Sequence, residues 1–230
     1  MNNKKPLILK TQNICKKFLV GKNMVNTLKN VNIHILQKNF TVLRGRSGSG
    51  KTTLINILGV LDLPTKGFVF YRDNEITGLS QAQKDYLHRN DFAFVFQSVG
   101  LISALSACEN VEFALRIAQF DRKMIEKRAA ECLKMVGLSK RMHHRPCQLS
   151  GGEQQRVAIA RAISNRSSII FADEPTAELD TVNGLQIIHI FKELIKAEEI
   201  TVVMTSHDQN IIDLADSVFT LQDGEVIDGN

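Results

Sequence analysis

The sequence predicts an α/β fold with a parallel sheet at its core. Short apolar, β-branched runs alternate with longer segments of helical periodicity, a pattern typical of parallel strands joined by helices. The N-terminal part is rich in strand-like runs, which indicates an additional N-terminal antiparallel β subdomain. Residues 97–165 lack such runs, which indicates an inserted α-helical subdomain. We therefore expect one domain over residues 1–230, with its α/β core formed by residues 1–96 and 166–230.

The first two predicted strands are separated by a turn. Residues 7–14 and 27–36 have strand character, and residues 21–23 carry a turn signal between them. Residues 40–43 are apolar and β-branched, which is typical of a buried strand. A further strand is predicted at residues 68–71.

The remaining elements follow in alternation. Strands are predicted at residues 92–96, 168–173, 201–204 and 218–221. Helices are predicted at 108–118, at 124–136, along the apolar positions from 185 to 195, and near Asn210. Asp223 and Gly224 form a hairpin-turn signal.

The composition is that of an ordinary globular protein, with 43% hydrophobic and 23% charged residues. Neither a long apolar span nor a secretory leader is visible, so we expect the protein in the cytoplasm. The net charge is +5 and the pI is about 9.0. Because Lys and Arg are spread along the chain, no nucleic-acid partner is expected, whereas a basic surface suits a protein that docks beneath an anionic leaflet.

The four cysteines are scattered and form no C-x-x-C pair. This spacing argues against a cysteine metal site and against a disulfide framework. We expect reduced, structural thiols at Cys15, Cys108, Cys132 and Cys147.

Residues 45–52, the phosphate loop, match G-x-x-x-x-G-K-[ST] at every constrained position, between a strand and a helix. Glycines let the backbone amides turn inward, and the following helix start favours anions. Lys51 is predicted to reach the β- and γ-phosphates, and the Thr52 hydroxyl to ligate Mg²⁺. The alternative is a glycine-rich turn without a ligand. The predicted nucleotide contacts here are Gly45, Arg46, Ser47, Gly48, Ser49, Gly50, Lys51, Thr52 and Thr53.

Residues 149–156, the signature segment, predict a second anion-binding helix start. Ser150 and Glu153 have capping-box spacing, and Gly151 and Gly152 leave the first-turn amides open. Since the phosphate loop already holds one nucleotide, this surface is expected to close on a nucleotide of another copy, with Gln154 included in the contact. The alternative is an ordinary capped helix.

The two segments together resemble the nucleotide-binding subunit of ATP-binding-cassette (ABC) transporters, whose signature reads L-S-G-G-x-Q. The resemblance covers the whole chain and implies a P-loop NTPase core, ATP and Mg²⁺ as ligands, and ATP hydrolysis. It also implies a head-to-tail homodimer with each ATP between residues 45–52 of one copy and 150–154 of the other. A small-molecule P-loop kinase would not account for the signature segment.

An apolar strand ends in two carboxylates, Asp173 and Glu174. Asp173 is suited to hold Mg²⁺ through water, and Glu174 to polarise an attacking water as a general base. The alternative is a pair of solvated acids at a strand end.

The resemblance assigns four further residues. Gln97 corresponds to the glutamine that touches Mg²⁺ or the lytic water and couples the site to the membrane partner. His207 corresponds to the switch histidine at the γ-phosphate, and Asp180 ends the loop at the dimer seam. Phe18 falls where the family places an aromatic that stacks on adenine, although a core phenylalanine is the competing interpretation.

The sequence is most similar to the group of macrolide-exporting, lipoprotein-releasing and antimicrobial-peptide-resistance ATPases, on residues 25–31 and 54–59. This implies an ATPase subunit, peripheral on the inner face of the membrane, that drives a separate permease in export, extraction or mechanotransmission. Residues 101–105 depart from the usual Leu-Pro-x-Leu, so the permease stays unidentified. Two alternatives remain: a cell-division-type ATPase that regulates a membrane partner without transport, and a soluble nucleic-acid- or ribosome-associated cassette.

Overall fold

The computed structural model describes residues 5–229. The strands are β1 (Leu7–Val20), β2 (Asn23–Val31), β3 (His34–Leu36), β4 (Phe40–Arg44), β5 (Lys66–Tyr71), β6 (Asn74–Glu75), β7 (Phe92–Val95), β8 (Ile169–Asp173), β9 (Thr201–Ser206), β10 (Ser217–Gln222) and β11 (Glu225–Gly229). The helices are α1 (Lys51–Leu58), α2 (Gln81–Asn90), α3 (Ala107–Ile117), α4 (Ile125–Met135), α5 (Gly151–Ile163), α6 (Thr181–Ala197) and α7 (Gln209–Ile212), and Pro146–Gln148 form a 3-10 turn.

The chain forms two compact units. The first unit comprises the residues up to Lys84 together with those from Thr201 onward, and the second unit comprises Asp85–Ile200. The chain passes from one to the other within α2. This helix was not predicted, because Leu87 is the only buried residue among its described positions and a single apolar residue makes no periodic pattern.

An antiparallel sheet in the first unit has the strand order β2-β1-β5-β6, with β3 also paired to β1. The predicted single strand over residues 27–36 was wrong in one respect, because it is divided into β2 and β3. Asn30 takes the left-handed conformation with φ 52°, and the Ile33 amide leaves the ladder to donate to Thr11 Oγ1 at 2.9 Å. The two pieces therefore pair with different halves of β1.

The first unit also contains the order β11-β10-β4-β9. β10 and β9 run parallel to β4 on either side, and β11 returns antiparallel to β10 through the predicted hairpin turn. The first four residues of β4 are all buried, as expected of a central parallel strand whose two faces are both covered. The carboxyl ends of β4 and β9 therefore lie at the same edge of this sheet.

In the second unit, β7 and β8 pair in parallel, with Phe92 opposite Ile169. The ring of Phe171 packs edge-on against Phe92 and stacks on Phe94, each with centroids 5.3 Å apart. The helices predicted at residues 108–118 and 124–136 are confirmed as α3 and α4, and both pack on α5.

Two cysteines of the second unit are packed inside it. Burial raises the pKa of Cys108 to about 11 and that of Cys132 to about 12. Both therefore stay protonated thiols at neutral pH, where the thiolate is the reactive form. Within residues 5–229 no helix is both long and apolar enough to cross a membrane.

A buried arginine connects three helices of the second unit. Arg128 on α4 is 4% exposed. Its guanidinium donates to the last carbonyls of α5, Ile163 O at 3.0 Å and Ser164 O at 3.1 Å. It also pairs with Glu198, the residue that caps α6, at 3.1 Å. A cation at the carbonyl end of a helix complements the helix dipole.

We expect Arg128→Met to destabilise the protein. The substitution keeps the apolar stem but removes the Arg128 donor from the Ser164 carbonyl and the Glu198 carboxylate, while the Ile163 carbonyl keeps the Arg166 amide at 3.1 Å. The free energy of unfolding should fall by about 3 kcal/mol, as for other broken buried pairs, measured by urea denaturation. Arg116→Met, which removes an exposed pair with Glu112 at 3.3 Å, is the control and should cost less than about 1 kcal/mol. Equal losses in the two variants would contradict this assignment.

Candidate functional site

The phosphate loop joins β4 to α1 in the first unit and depends on glycine at its helix start. Gly50 is the residue that caps α1, with the left-handed φ of 102°. A Cβ there would lie 2.8 Å from both the Thr27 carbonyl oxygen and Leu28 Cδ2. A side chain at this position would therefore displace β2, so only glycine allows the loop to turn into the helix.

The β10–β11 hairpin supports the loop from the other side. A Cβ at Gly45 would lie 2.4 Å from the Leu221 carbonyl oxygen. In the hairpin turn, the Gly224 amide donates to the Ser49 carbonyl at 3.2 Å. The sequence predicted this hairpin as a turn only. Its role as a support was missed, because no local pattern shows which distant backbone a turn will touch.

The loop presents hydrogen-bond donors and positive charge. Lys51 is 5% exposed, and its ammonium donates to the loop's own carbonyls, Gly45 O at 2.9 Å and Arg46 O at 3.1 Å. Ser49 Oγ is buried and has no hydrogen-bond partner among residues 5–229. The first turn of α1 contains no acidic residue. These features fit an anion with several oxygens, such as a polyphosphate.

A cavity of about 620 Å³ opens at this loop, within the size range of small-molecule sites. It brings His207, which directly follows β9, together with residues 45–49. Arg44 and the hairpin contribute the rest of the wall, and none of these residues was predicted as part of the site. The hairpin residues are Thr220, Leu221, Gln222, Asp223 and Ile227. Thr52 is exposed and Thr53 half-buried in the first turn of α1.

Phe18 lies on β1, with 39% of its surface exposed. The competing interpretation of a core phenylalanine is therefore wrong. Its ring is available at the surface of the first unit, where Lys16 Nζ lies 4.8 Å from the ring centroid.

In the second unit, the two predicted carboxylates lie at the end of β8. Asp173 is the last residue of the strand, and both it and Glu174 are half-buried. Glu174 takes the left-handed conformation with φ 43°. Such a backbone is costly for a residue with a Cβ and is concentrated at functional sites. The left-handed backbone at Glu174 ends the strand directly after Asp173.

The signature segment forms the predicted helix start. Ser150 Oγ accepts from the Glu153 amide at 3.2 Å, and Glu153 Oε2 accepts from the Ser150 amide at 2.8 Å, so the capping box is confirmed. Gln154 Nε2 donates to the carbonyls of Pro146 and Leu149. These bonds hold the glycine-containing first turn of α5 in place.

Asp180 lies beside the signature segment in the second unit. It caps α6 by accepting from the Asn183 amide at 3.0 Å, and this bond holds the pKa of the Asp180 carboxyl below its ordinary value. A Cβ on Gly152 would lie 3.1 Å from Asn183 Oδ1. The starts of α5 and α6 therefore share one corner, and Gly152 makes room for their contact.

Gln97 is exposed just after β7. The segment that follows it is held by Arg161 on α5, whose guanidinium donates to Gly100 O at 2.6 Å and Val99 O at 2.9 Å. Burial lowers the pKa of the Arg161 guanidinium. Its two hydrogen bonds to carbonyl oxygens compensate for the water that burial removes. Sequence reasoning missed Arg161, because its role lies in a contact to backbone 61 residues away.

The sequence pattern of the family described as ABC transporter matches residues 28–177. The chain belongs to the ABC transporter family. It is an ATPase cassette of that family.

Two of its relatives are archaeal. An uncharacterized ABC transporter ATP-binding protein of Methanocaldococcus jannaschii, MJ1508, is 41% identical over 96% of this chain and 98% of its own. A second one from that organism, MJ0796, is 42% identical over 95% of each chain. A solved dimeric structure of MJ0796 in a post-hydrolysis state, bound to ADP and Pi, has a TM-score of 0.88 at 40% identity, covering 97% of this chain and 98% of that one. The predicted fold class, with its P-loop NTPase core, is confirmed.

A third relative is larger. The macrolide export ATP-binding/permease protein MacB of Bartonella henselae is 42% identical over 97% of this chain. This chain spans only 34% of MacB. The predicted similarity to the group that includes macrolide-exporting, lipoprotein-releasing and antimicrobial-peptide-resistance ATPases is confirmed, since MacB is among the relatives.

The capping box at the signature segment predicts a pH dependence of stability. The Ser150 amide holds the pKa of Glu153 below its ordinary value of 4.5. Because the pKa is lower in the folded chain than in the unfolded chain, this stabilisation is complete above pH 4.5 and is lost as the pH falls through the lowered pKa.

We therefore expect the wild type to exceed Glu153→Gln in free energy of unfolding by about 0.5 kcal/mol at neutral pH, the range for a screened charge at a helix start. The difference should shrink at an acid pH well below 4.5, as the Glu153 carboxylate takes up a proton and becomes neutral like the amide. Urea denaturation at both pH values measures it. Glu75→Gln, an exposed change on β6, is the control for removal of one glutamate charge, and it should cost less at neutral pH than Glu153→Gln. A gap of the same size at both pH values would contradict the assignment.

Proposed function

We propose that this chain is the ATP-binding and ATP-hydrolysing subunit of a transporter, and that two copies sandwich two Mg-ATP head to tail. The observation that carries the proposal is the presence of two separate anion-binding helix starts in one chain. One begins α1 behind a loop rich in donors, and the other begins α5 behind the cap at Ser150. A single triphosphate needs one such cradle, so the second cradle fits the nucleotide of another copy.

In this proposal the phosphate loop binds the nucleotide that its own chain holds. Lys51 moves from the loop carbonyls Gly45 O and Arg46 O to the β- and γ-phosphates, exchanging neutral acceptors for anionic ones that bind it more strongly. His207 lies in the same cavity and donates to the γ-phosphate. The exposed ring of Phe18 stacks on the adenine.

The donor set assigned to Mg²⁺ suits a hard cation, because it consists of a hydroxyl, an amide oxygen and a carboxylate, from Thr52, Gln97 and Asp173. When bound, Mg²⁺ neutralises charge on the phosphates. Glu174, which follows Asp173 directly, accepts a proton from the attacking water.

The second copy contributes Ser150, Gly151, Gly152 and Gln154, and its Asp180 lies at the seam. Support comes from the corner shared by the starts of α5 and α6, which would meet the other copy as one rigid surface. The solved MJ0796 cassette is dimeric in a post-hydrolysis state, which is consistent with closure on nucleotide.

The partner in the membrane is proposed to be a separate permease, with the ATPase peripheral on the inner face of the membrane. MacB combines an ATP-binding part with a permease in its name, and this chain matches about a third of it. We propose that residues 97–165 form the helical subdomain that passes the motion on. Gln97 would sense the nucleotide, and the Arg161 contacts would carry its displacement to α5.

The test of this mechanism is Glu174→Gln. We expect this variant to bind ATP and to dimerise in its presence, but to release phosphate about 100-fold more slowly or worse, because the general base is lost. Phosphate release from Mg-ATP without an added acceptor measures hydrolysis, and light scattering measures the dimer.

Glu126→Gln, an exposed change in the first turn of α4, is the matched control and should hydrolyse ATP as the wild type does. Full turnover by Glu174→Gln would exclude its role as base. A wild type that needs an acceptor alcohol before phosphate leaves ATP would instead favour a kinase.

A further inference from the structure

Lys16 is held rigidly against the ring of Phe18. Its ammonium lies 4.8 Å from the ring centroid. The same nitrogen donates to Asp62 Oδ1 at 2.6 Å and to the Leu63 carbonyl at 2.6 Å. The Lys16 side chain is 12% exposed, so this is an ordered cation and not a mobile surface lysine.

Backbone bonds reinforce the same contact. The Thr65 amide donates to the Cys15 carbonyl at 2.8 Å, and the Lys17 amide donates to Thr65 Oγ1 at 3.0 Å. Residues 62–65 are thereby attached along β1 on both sides of Lys16. The strand that carries Phe18 and the segment after α1 therefore form one connected piece.

Residues 62–65 are connected to the phosphate loop through helix α1. Residues 62–65 follow α1, and α1 begins at Lys51 in the loop. The helix has eight residues and spans roughly 12 Å. Lys16 thus connects Phe18 to the far end of the helix whose near end binds phosphate, so the spacing between ring and loop is set by a rigid helix.

Without the contact with Lys16, little would fix the orientation of the Phe18 ring. It lies near the tip of the β1–β2 hairpin, where Leu19 and Val20 are 69% and 61% exposed and offer little packing. A cation over a ring contributes about 0.5–1 kcal/mol at an exposed site. It also occupies one face of the ring, which leaves the other face for a stacking partner.

We propose that Lys16 is a positioning residue for nucleobase binding, which fixes the Phe18 ring so that a purine stacks on its opposite face. This inference rests on the proposed function, in which Phe18 receives the base. Lys16 acts through the ring and not through the base edge, because its ammonium is engaged by Asp62 and Leu63. Its effect is therefore the same for adenine and guanine nucleotides.

The experiment is steady-state ATPase kinetics of Lys16→Met with Mg-ATP and with Mg-GTP. We expect KM for both to rise about threefold to tenfold, the range of a lost cation–π contact plus part of a stacking interaction, while kcat stays unchanged. Inhibition by tripolyphosphate, which has no base, should be unaffected. Lys16→Arg keeps a cation and should restore KM.

Lys17→Met is the matched control, because it removes the same charge from the next residue of β1, whose side chain is exposed. It should leave KM unchanged. An equal rise of KM in Lys17→Met would show that only general attraction of the nucleotide was lost, and would overturn the proposal. Weaker inhibition by tripolyphosphate in Lys16→Met would overturn it as well, because the phosphate site itself would then be disturbed.

The Phe18→Ala variant distinguishes a failure of the role proposed for Lys16 from a failure of the base-stacking role proposed for Phe18. A rise of KM in Phe18→Ala with no rise in Lys16→Met would overturn the role of Lys16 and leave the base-stacking role of Phe18 intact. An unchanged KM in Phe18→Ala would remove that stacking role, and the role of Lys16 with it. A rise limited to Mg-ATP in Lys16→Met would point to a direct contact with adenine and contradict positioning through the ring.

Discussion

The close approach of three backbones around the phosphate loop is the constraint on which the first unit depends. The loop touches β2 at Gly50 and the β10–β11 hairpin at Gly45, with no space for a side chain at either point. Because backbone atoms are in direct contact, the loop cannot shift without moving both neighbours. A loop held in this way keeps its backbone amides in place before an anion arrives, which reduces the entropy lost on binding.

The second unit organises its binding surface by a different means. Its helix starts are fixed by side chains that cap them, Ser150 with Glu153 on α5 and Asp180 on α6. These bonds hold both helix starts, and the small volume of Gly152 lets the two starts meet. Capping therefore stabilises the helices and sets the shape of the corner where they meet.

Two arginines connect the carboxyl end of α5 to the rest of the second unit. Arg161 ties α5 to the segment after Gln97, and Arg128 ties the end of the same helix to α4 and α6. Both guanidiniums bind carbonyl oxygens, so their charge is compensated by dipoles and not left exposed to water. The carboxyl end of α5 is thereby held on two sides, while its start is held by the cap at Ser150.

The sequence by itself determined the fold class, the phosphate loop and the capping box at Ser150. Each of these is a local property, because it depends on residues a few positions apart whose spacing sets backbone geometry directly. Helices α3 and α4 were predictable for the same reason, since their apolar periodicity is strong. Helix α2, with one buried residue, carried no such signal.

Only the tertiary structure decided what the loop rests on and what holds the Phe18 ring. The hairpin at Gly224, the carbonyls held by Arg161 and the contact of Lys16 with Asp62 all join residues that are far apart in the chain. Such pairings follow from how strands and helices pack, and no local pattern encodes them. The division of residues 27–36 into β2 and β3 has the same origin. β1 is long enough for each of these two strands to pair with a different part of it.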